Sequence, residues 1–277
     1  MGGHTTFVTA PTADMLAGAL RPIAEAPGSA AVLCDIDGTL APIVERAEEA
    51  RVPPEATRML AELARRYAVV ACISGRSALD ARRLVGVGGI AYAGAHGAEL
   101  LWPGDRDPTA LPEFERHRER VHSFVDAYDG DALRLLGVRV EDKGPIVALH
   151  WRGAPDEELA HDRLKEIAAA AEGDGLATHW GRKVLEVRPP VPISKGRAVQ
   201  EITLRPEVRT ALFGGDDTTD LDAFEALDAA VADGQLDSAV RIGVASAEGP
   251  AAIEQRADVV VDGTAGFLAV LAALAGP

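Results

Sequence analysis

Short apolar runs alternate with amphipathic stretches from residue 13 onward. The run "AAVLCD" (30–35) is apolar until its last residue and predicts a first buried strand. "PPEATRMLAELARRY" opens on prolines and spaces Met59, Leu60, Leu63 and Ala64 as one helical face, so it predicts a helix. "AVVACIS" (68–74) and "IAYAGAHG" (90–97) predict a second and a third strand, with the helix "SALDARRLVG" between them closing on Gly86. Upstream, 13–26 suits a helix with Leu16, Leu20 and Ile23 on one face, and residues 1–12 read as a disordered tail. Strands alternating with helices predict an α/β fold, a parallel sheet with helices on its faces.

The pattern changes near residue 106. "PEFERHRERVHSFVDAY" is an amphipathic helix, with His117 and His122 expected on its solvated surface. "VRVEDKGPIVALHW" reads as two alternating strands around Asp142-Lys143-Gly144, a hairpin signal. "PDEELAHDRLKEIAAAAEG" predicts another helix, and "HWGRKVLEVRP" one more strand. From about 193 the first pattern resumes: "SKGRAVQEI" opens a helix, "TALFGGDD" is a strand, "TDLDAFEAL" a helix, and "AVRIGVAS" and "ADVVVD" are strands. The expected organisation is a Rossmann-like core in two parts, 13–105 and 189–277, interrupted by an α+β insert over 106–188.

Composition narrows the partners. The 277 residues are 47% hydrophobic, enough for a sizeable core. A formal net charge of −15 disfavours nucleic acid and anionic membranes as partners. No run of eighteen or more uninterrupted apolar residues occurs, so no membrane span is predicted. The opening "MGGHTTFVTAPTADM" lacks the charged-then-apolar layout of a signal segment. Cys34 and Cys72 both lie in apolar strands and are expected as buried free thiols. A monomer in the cytoplasm is expected.

The candidate chemistry sits where strands end, which is where open α/β sheets bind ligands. The first strand ends on Asp35-Ile36-Asp37, the second on Ser74-Gly75-Arg76, and a later one on Gly214-Gly215-Asp216-Asp217, with Asp220 in the next turn. Between them Ser194-Lys195 begins a helix. Clustered carboxylates repel, and oxygen-only donors suit a hard cation such as Mg²⁺. Lys195 at a helix start, Ser74 and the amides after Asp37 suit a phosphoryl group. Each piece alone also reads as ordinary structure: a turn at Asp37-Gly38-Thr39, a helix cap at Ser74, an acidic helix start at Asp216-Asp217. A calcium loop fails, because the positions that need Asp or Asn and then Gly hold Thr39 and Leu40.

Taken together, D-x-D-G-T, then Ser, then Lys, then G-D-D-x-T-D resembles the haloacid dehalogenase superfamily of phosphatases. More narrowly the chain is similar to the trehalose-6-phosphate phosphatases. That match rests on "DIDGTLAPI", "ISGR", "GAHGAE", "GPIVALHWR", and "GRKVLEVRP" followed by "SKG" and "GDDTTD", spanning 35–220. The resemblance implies hydrolysis of trehalose 6-phosphate, with Asp35 as nucleophile and Asp37 as acid and base. It implies Mg²⁺ held by Asp35, the backbone carbonyl of Asp37, and Asp216, supported by Asp217 and Asp220. Ser74, Gly75 and Lys195 would bind phosphate, with Arg76 and His96 in flanking motifs. The insert would be a mobile cap reading the sugar through Glu141, Lys143 and Glu186. The family's usual "GK" is here Gly181-Arg182-Lys183, which leaves both Arg182 and Lys183 as candidate sugar contacts. Without the resemblance, Glu141, Lys143 and Glu186 read as cross-strand charge pairing on a solvated face. A related sugar phosphatase acting on sucrose-, mannosylglycerate- or glucosylglycerol-phosphate is the alternative within enzymes. A catalytically silent binding domain would be expected to lack a core residue, yet Asp35, Asp37, Ser74, Lys195 and Asp216 are all present.

Overall fold

The structure is a computed structural model, and it describes residues 11–44, 46, 49–246 and 249–276. Most of the expected N-terminal tail, residues 1–10, lies outside the described residues. The chain divides into two compact units, one built from residues up to 108 and from 194 onward, the other from 109–193.

In the first unit the apolar runs become the strands β1 (Ala30–Cys34), β2 (Val69–Ile73), β3 (Ala91–Gly94) and β4 (Glu99–Leu101). The two-residue β5 (Thr109–Ala110) opens the second unit, whose own sheet uses β6 (Arg139–Lys143), β7 (Ile146–His150), β8 (Ala177–Gly181) and β9 (Val184–Arg188). The first unit resumes with β10 (Thr210–Gly215), β11 (Ser238–Ala245) and β12 (Val259–Asp262). Its sheet runs in the order β12-β11-β10-β1-β2-β3-β4. Neighbours are parallel except β3 and β4, which pair antiparallel at one side. Every residue of β1, β2 and β10 is buried, as a parallel sheet covered on both faces requires.

Helices α1 (Ala13–Ala24), α2 (Pro54–Leu63) and α3 (Ala78–Val85) belong to the first unit, and α4 (Pro112–Asp126), α5 (Asp131–Leu135) and α6 (Glu157–Gly173) to the second. Helices α7 (Lys195–Thr203), α8 (Thr218–Ala232), α9 (Ala251–Arg256) and α10 (Gly263–Ala275) return to the first. Their ends follow local chemistry. Thr12 accepts from Met15 N at the start of α1, Ser77 caps α3, and Gly86 ends α3 in the left-handed region at φ 75°. The expected thiols are confirmed: Cys34 and Cys72 face each other across β1 and β2, buried and free, with sulfurs 4.0 Å apart. Among the described residues no helix is long and apolar enough to cross a membrane.

Three expectations need correction. The hairpin of β6 and β7 turns at Gly144-Pro145, because Lys143 pairs with Ile146 and so stays in the strand. Asp142 instead accepts from Gly144 N at 2.7 Å and braces the turn. "HWGRKVLEVRP" is not one strand but the facing ends of β8 and β9, joined by Arg182-Lys183 with Lys183 at φ 62°. Alternation alone could not reveal that break, since Arg-Lys is not a turn-forming pair by type. His122 is not solvated surface; it is half-buried with Nε2 2.7 Å from the Gly144 carbonyl, anchoring the same turn. One element, α10, carries no sequence signal of its own because "GFLAVLAALA" is apolar on every side; it packs through Phe267, Val270, Leu271 and Leu274.

Candidate active site

Strand β1 ends by delivering Asp35, which is buried, and Asp37, which is partly exposed. Gly38 follows at φ 99°, and its N–H donates to the Ala41 carbonyl at 2.7 Å. A side chain here is excluded twice over: the backbone is left-handed, and a Cβ would lie 2.1 Å from Asp216 Oδ2. The turn therefore passes directly against the end of β10. There Thr39, buried, donates from Oγ1 to Asp216 Oδ1 at 3.2 Å. Thr39 is a site residue that sequence reading left as part of a turn; its place in the motif was visible, but not its partner 177 residues away.

Helix α8 begins with a reciprocal cap. Asp220 Oδ2 accepts from the N–H groups of Asp216 and Asp217 at 3.0 Å each. Asp220 Oδ1 accepts from Lys195 Nζ at 2.7 Å. The same ammonium donates to Asp35 Oδ1 at 2.7 Å. Lys195, Asp35 and Asp220 are all buried, so one lysine sits between two carboxylates out of water. Gly196 lets α7 approach α8 that closely, since a Cβ there would lie 2.6 Å from the Asp222 carbonyl. Asp217 stands outside this group; it is exposed and accepts from Thr218 N as the helix cap.

From β2 comes Ser74, buried, whose Oγ accepts from Arg76 N at 3.2 Å. Arg76 donates from Nε and Nη2 to the two oxygens of Asp37 at 2.7 Å each, a bidentate fork. Gly75 lies under the ring of His96, and an added Cβ would sit 2.6 Å from its Cε1. The structure thus brings together Asp35, Asp37, Ser74, Gly75, Arg76, His96, Lys195, Asp216 and Asp220 at one end of the sheet.

The electrostatics follow from burial. Burial pushes the Asp35 carboxyl well above its ordinary range, and Lys195 pulls against that shift while Asp220 adds to it. For Lys195, burial alone would favour the neutral amine, but the charges of Asp220 and Asp35 outweigh it and raise its pKa. Burial first, then the Asp220 charge, push Asp216 up to about 6. Oxygens of Asp35, Asp216 and Asp220 lie within 4.8 Å of one another. Both oxygens of Asp220 are already committed, to Lys195 and to backbone amides, which leaves Asp35 and Asp216 to face a ligand. Crowded, incompletely neutralised carboxylates with only oxygen donors fit a hard cation.

The second unit carries its own polar group. On the face of its sheet opposite the helices, the register aligns Glu141, Ala148, Glu186 and His179 in one row. Lys143 Nζ lies 3.1 Å from Glu186 Oε1 and 3.9 Å from Glu141 Oε2. His150 Nε2 lies 2.7 Å from Glu141 Oε2, and Arg188 donates to Glu186 Oε2, from Nε at 2.9 Å and also from Nη2. The hydrogen bond with His150 holds Glu141 below the ordinary carboxylate range. His150 and Arg188 were not singled out from sequence, although both lie inside the quoted motifs. Lys183 does not join this row; its ammonium is 2.6 Å from Glu157 of α6. Arg182 is exposed on the turn, its carbonyl accepting from Arg152.

The chain resembles known proteins in sequence and in fold. A family model described as trehalose-phosphatase matches residues 33–259. The chain is 38% identical over 212 residues to the trehalose-phosphate phosphatase of Mycolicibacterium paratuberculosis, covering 71% of this chain and 51% of that one. It is 36% identical over 207 residues to an uncharacterized glycosyl hydrolase of Mycobacterium tuberculosis, covering 71% of this chain and 15% of that one. The chain therefore spans about half the length, or less, of these relatives. Among solved structures, the C-terminal domain of the C. albicans trehalose-6-phosphate phosphatase superposes with TM-score 0.69 at 22% identity, covering 96% and 98% of the two chains. A haloacid dehalogenase-like hydrolase from Bacteroides thetaiotaomicron gives 0.59 at 10% identity, covering 87% of this chain and 97% of that one. The fold is that of the haloacid dehalogenase-like hydrolases, and with the family match spanning both units, the chain belongs to the trehalose-phosphatase family.

Proposed function

We propose that this protein is a phosphatase that hydrolyses trehalose 6-phosphate to trehalose and phosphate. The observation that carries this reading is Lys195, buried between Asp35 and Asp220 at 2.7 Å from each, beside Asp216 and in a chain of this family. Asp35 would attack phosphorus while the bond from phosphorus to the sugar oxygen breaks. Asp37 would protonate the departing oxygen. The aspartyl phosphate is then opened by water, Asp37 taking the water's proton, which frees phosphate and restores Asp35. Ser74 Oγ, the Gly75 amide and the Lys195 ammonium would hold the phosphoryl oxygens. Asp35, the Asp37 carbonyl and Asp216 would hold Mg²⁺, with Asp220 behind them; bound there, the ion would supply positive charge to the phosphoryl group.

Unit 109–193 is read as the inserted cap that recognises the sugar. Glu141, Lys143 and Glu186 share one sheet face as a row of fixed donors and acceptors, the type of group that hydroxyl-rich ligands need. Of the two turn cations, Arg182 is assigned to the sugar, because Lys183 is held by Glu157. A phosphate-release panel tests the reading. Trehalose 6-phosphate should exceed sucrose-, mannosylglycerate- and glucosylglycerol-phosphates in kcat/KM; a stronger preference for another member overturns the substrate assignment. Asp35→Asn should reduce release to background, and unchanged activity would refute the nucleophile.

A further inference from the structure

Behind the phosphate-binding loop lies a strained turn with no assigned role. Ala95, His96 and Gly97 are consecutive and all left-handed, at φ 49°, 57° and 95°. Two of them are not glycine, a conformation that persists only where surrounding contacts hold it. The contacts are specific. Ser74 N donates to the Ala93 carbonyl, His96 N to the Ser74 carbonyl and Ala95 N to the Arg76 carbonyl, at 2.9, 2.9 and 2.8 Å. The first ties Ser74 to β3, and the other two fasten Ser74 and Arg76 to the turn. The His96 ring packs onto Gly75, where an added Cβ would lie 2.6 Å from Cε1 and 2.7 Å from Nε2. On the other side, a Cβ at Gly97 would lie 2.7 Å from the Ser194 carbonyl, just before Lys195. One turn thus touches both elements that present the groups read as the phosphate clamp.

We propose that His96 is a positioning residue for phosphate binding. Its ring is the surface on which Gly75 rests, and the left-handed backbone at 95–97 sets the separation between the Ser74 loop and the start of α7. The ring and the missing side chain at Gly75 form an interlocked pair. This rests on reading Ser74 and Lys195 as the phosphate clamp.

A double-mutant cycle on the full chain, assayed with Mg²⁺, tests it. The readouts are kcat and KM for phosphomonoester hydrolysis and the inhibition constant of inorganic phosphate, with circular dichroism confirming that each variant is folded. His96→Gly accepts the left-handed backbone but removes the ring; it should weaken phosphate inhibition and lower kcat/KM about tenfold each. Gly75→Ala alone should cost at least as much. The double variant should lose no more than Gly75→Ala alone, because the methyl group then has room. His96→Asn, which also tolerates the left-handed region, should match His96→Gly and guards against a loss from backbone slack. Native phosphate inhibition in both His96 variants, or losses that multiply in the double variant, overturns the proposal. If instead the unaltered protein shows no inhibition by phosphate, the clamp reading itself has failed.

Discussion

Lys195 shows how one residue depends on its partners. Its ammonium is buried between two carboxylates, at 2.7 Å from an oxygen of each. Replacing it by Met leaves Asp35 and Asp220 buried and uncompensated. Thermal and urea denaturation of Lys195→Met should show a loss of about 3–5 kcal/mol, the range for breaking a buried pair from one side, together with loss of phosphate release. Glu141 gives a pH prediction. The His150 hydrogen bond lowers its folded pKa, so its contribution to stability is fully present above the unfolded carboxylate value and declines as pH falls through the lower folded one. Glu141→Gln should therefore flatten the acid limb of the unfolding midpoint against pH, below about pH 4.5. The residue types of the core site were readable in sequence, because carboxylate, hydroxyl and ammonium groups at strand and helix ends carry their chemistry locally. Their hydrogen-bond partners were not: Thr39 and Asp216 meet only through the sheet.

At the scale of elements, the junction of β1 with β10 decides the site. Gly38 was legible as a turn residue, but the reason it must be glycine is the Asp216 carboxylate pressed against it. Gly38→Ala should displace Asp216 and strain the left-handed turn, lowering phosphate release and weakening Mg²⁺ activation more than it lowers the melting temperature. Gly214 has a different duty. An added Cβ would sit 2.1 Å from Phe267 Cε2 of α10, so Gly214→Ala should cost about 1–3 kcal/mol in denaturation as an overpacked core. The helix behind that contact escaped sequence reading because an all-apolar segment has no periodic face. The Arg182-Lys183 turn escaped it because the left-handed residue is a lysine, held there by β8 pairing with β9.

At the scale of the molecule, the site's parts are widely separated in the chain. Asp35 and Lys195 are 160 residues apart, with the whole of unit 109–193 between them. Chelation of divalent metal should abolish phosphate release, and Mg²⁺ should restore it. Mg²⁺ at about 100 times its Kd should also add about 2.7 kcal/mol of stability to the folded chain, read as a shift in unfolding midpoint. Activity that persists in excess chelator would argue against the metal assignment.

The amino-acid sequence by itself determined the kinds of group and the ends of elements where they lie, because periodicity, caps and turns act over a few residues. It determined the alternation of strands and helices and the order in which Asp35, Ser74, Lys195 and Asp216 arrive. Tertiary structure alone decided which oxygen each proton donor meets. It sent Lys195 to both Asp35 and Asp220, Arg76 to Asp37, and Lys183 to Glu157 rather than to the row of Glu141 and Glu186. A side chain's partner is set by which backbones pack within a few ångströms of it, and that distance is fixed by the folded sheet, not by neighbours in sequence.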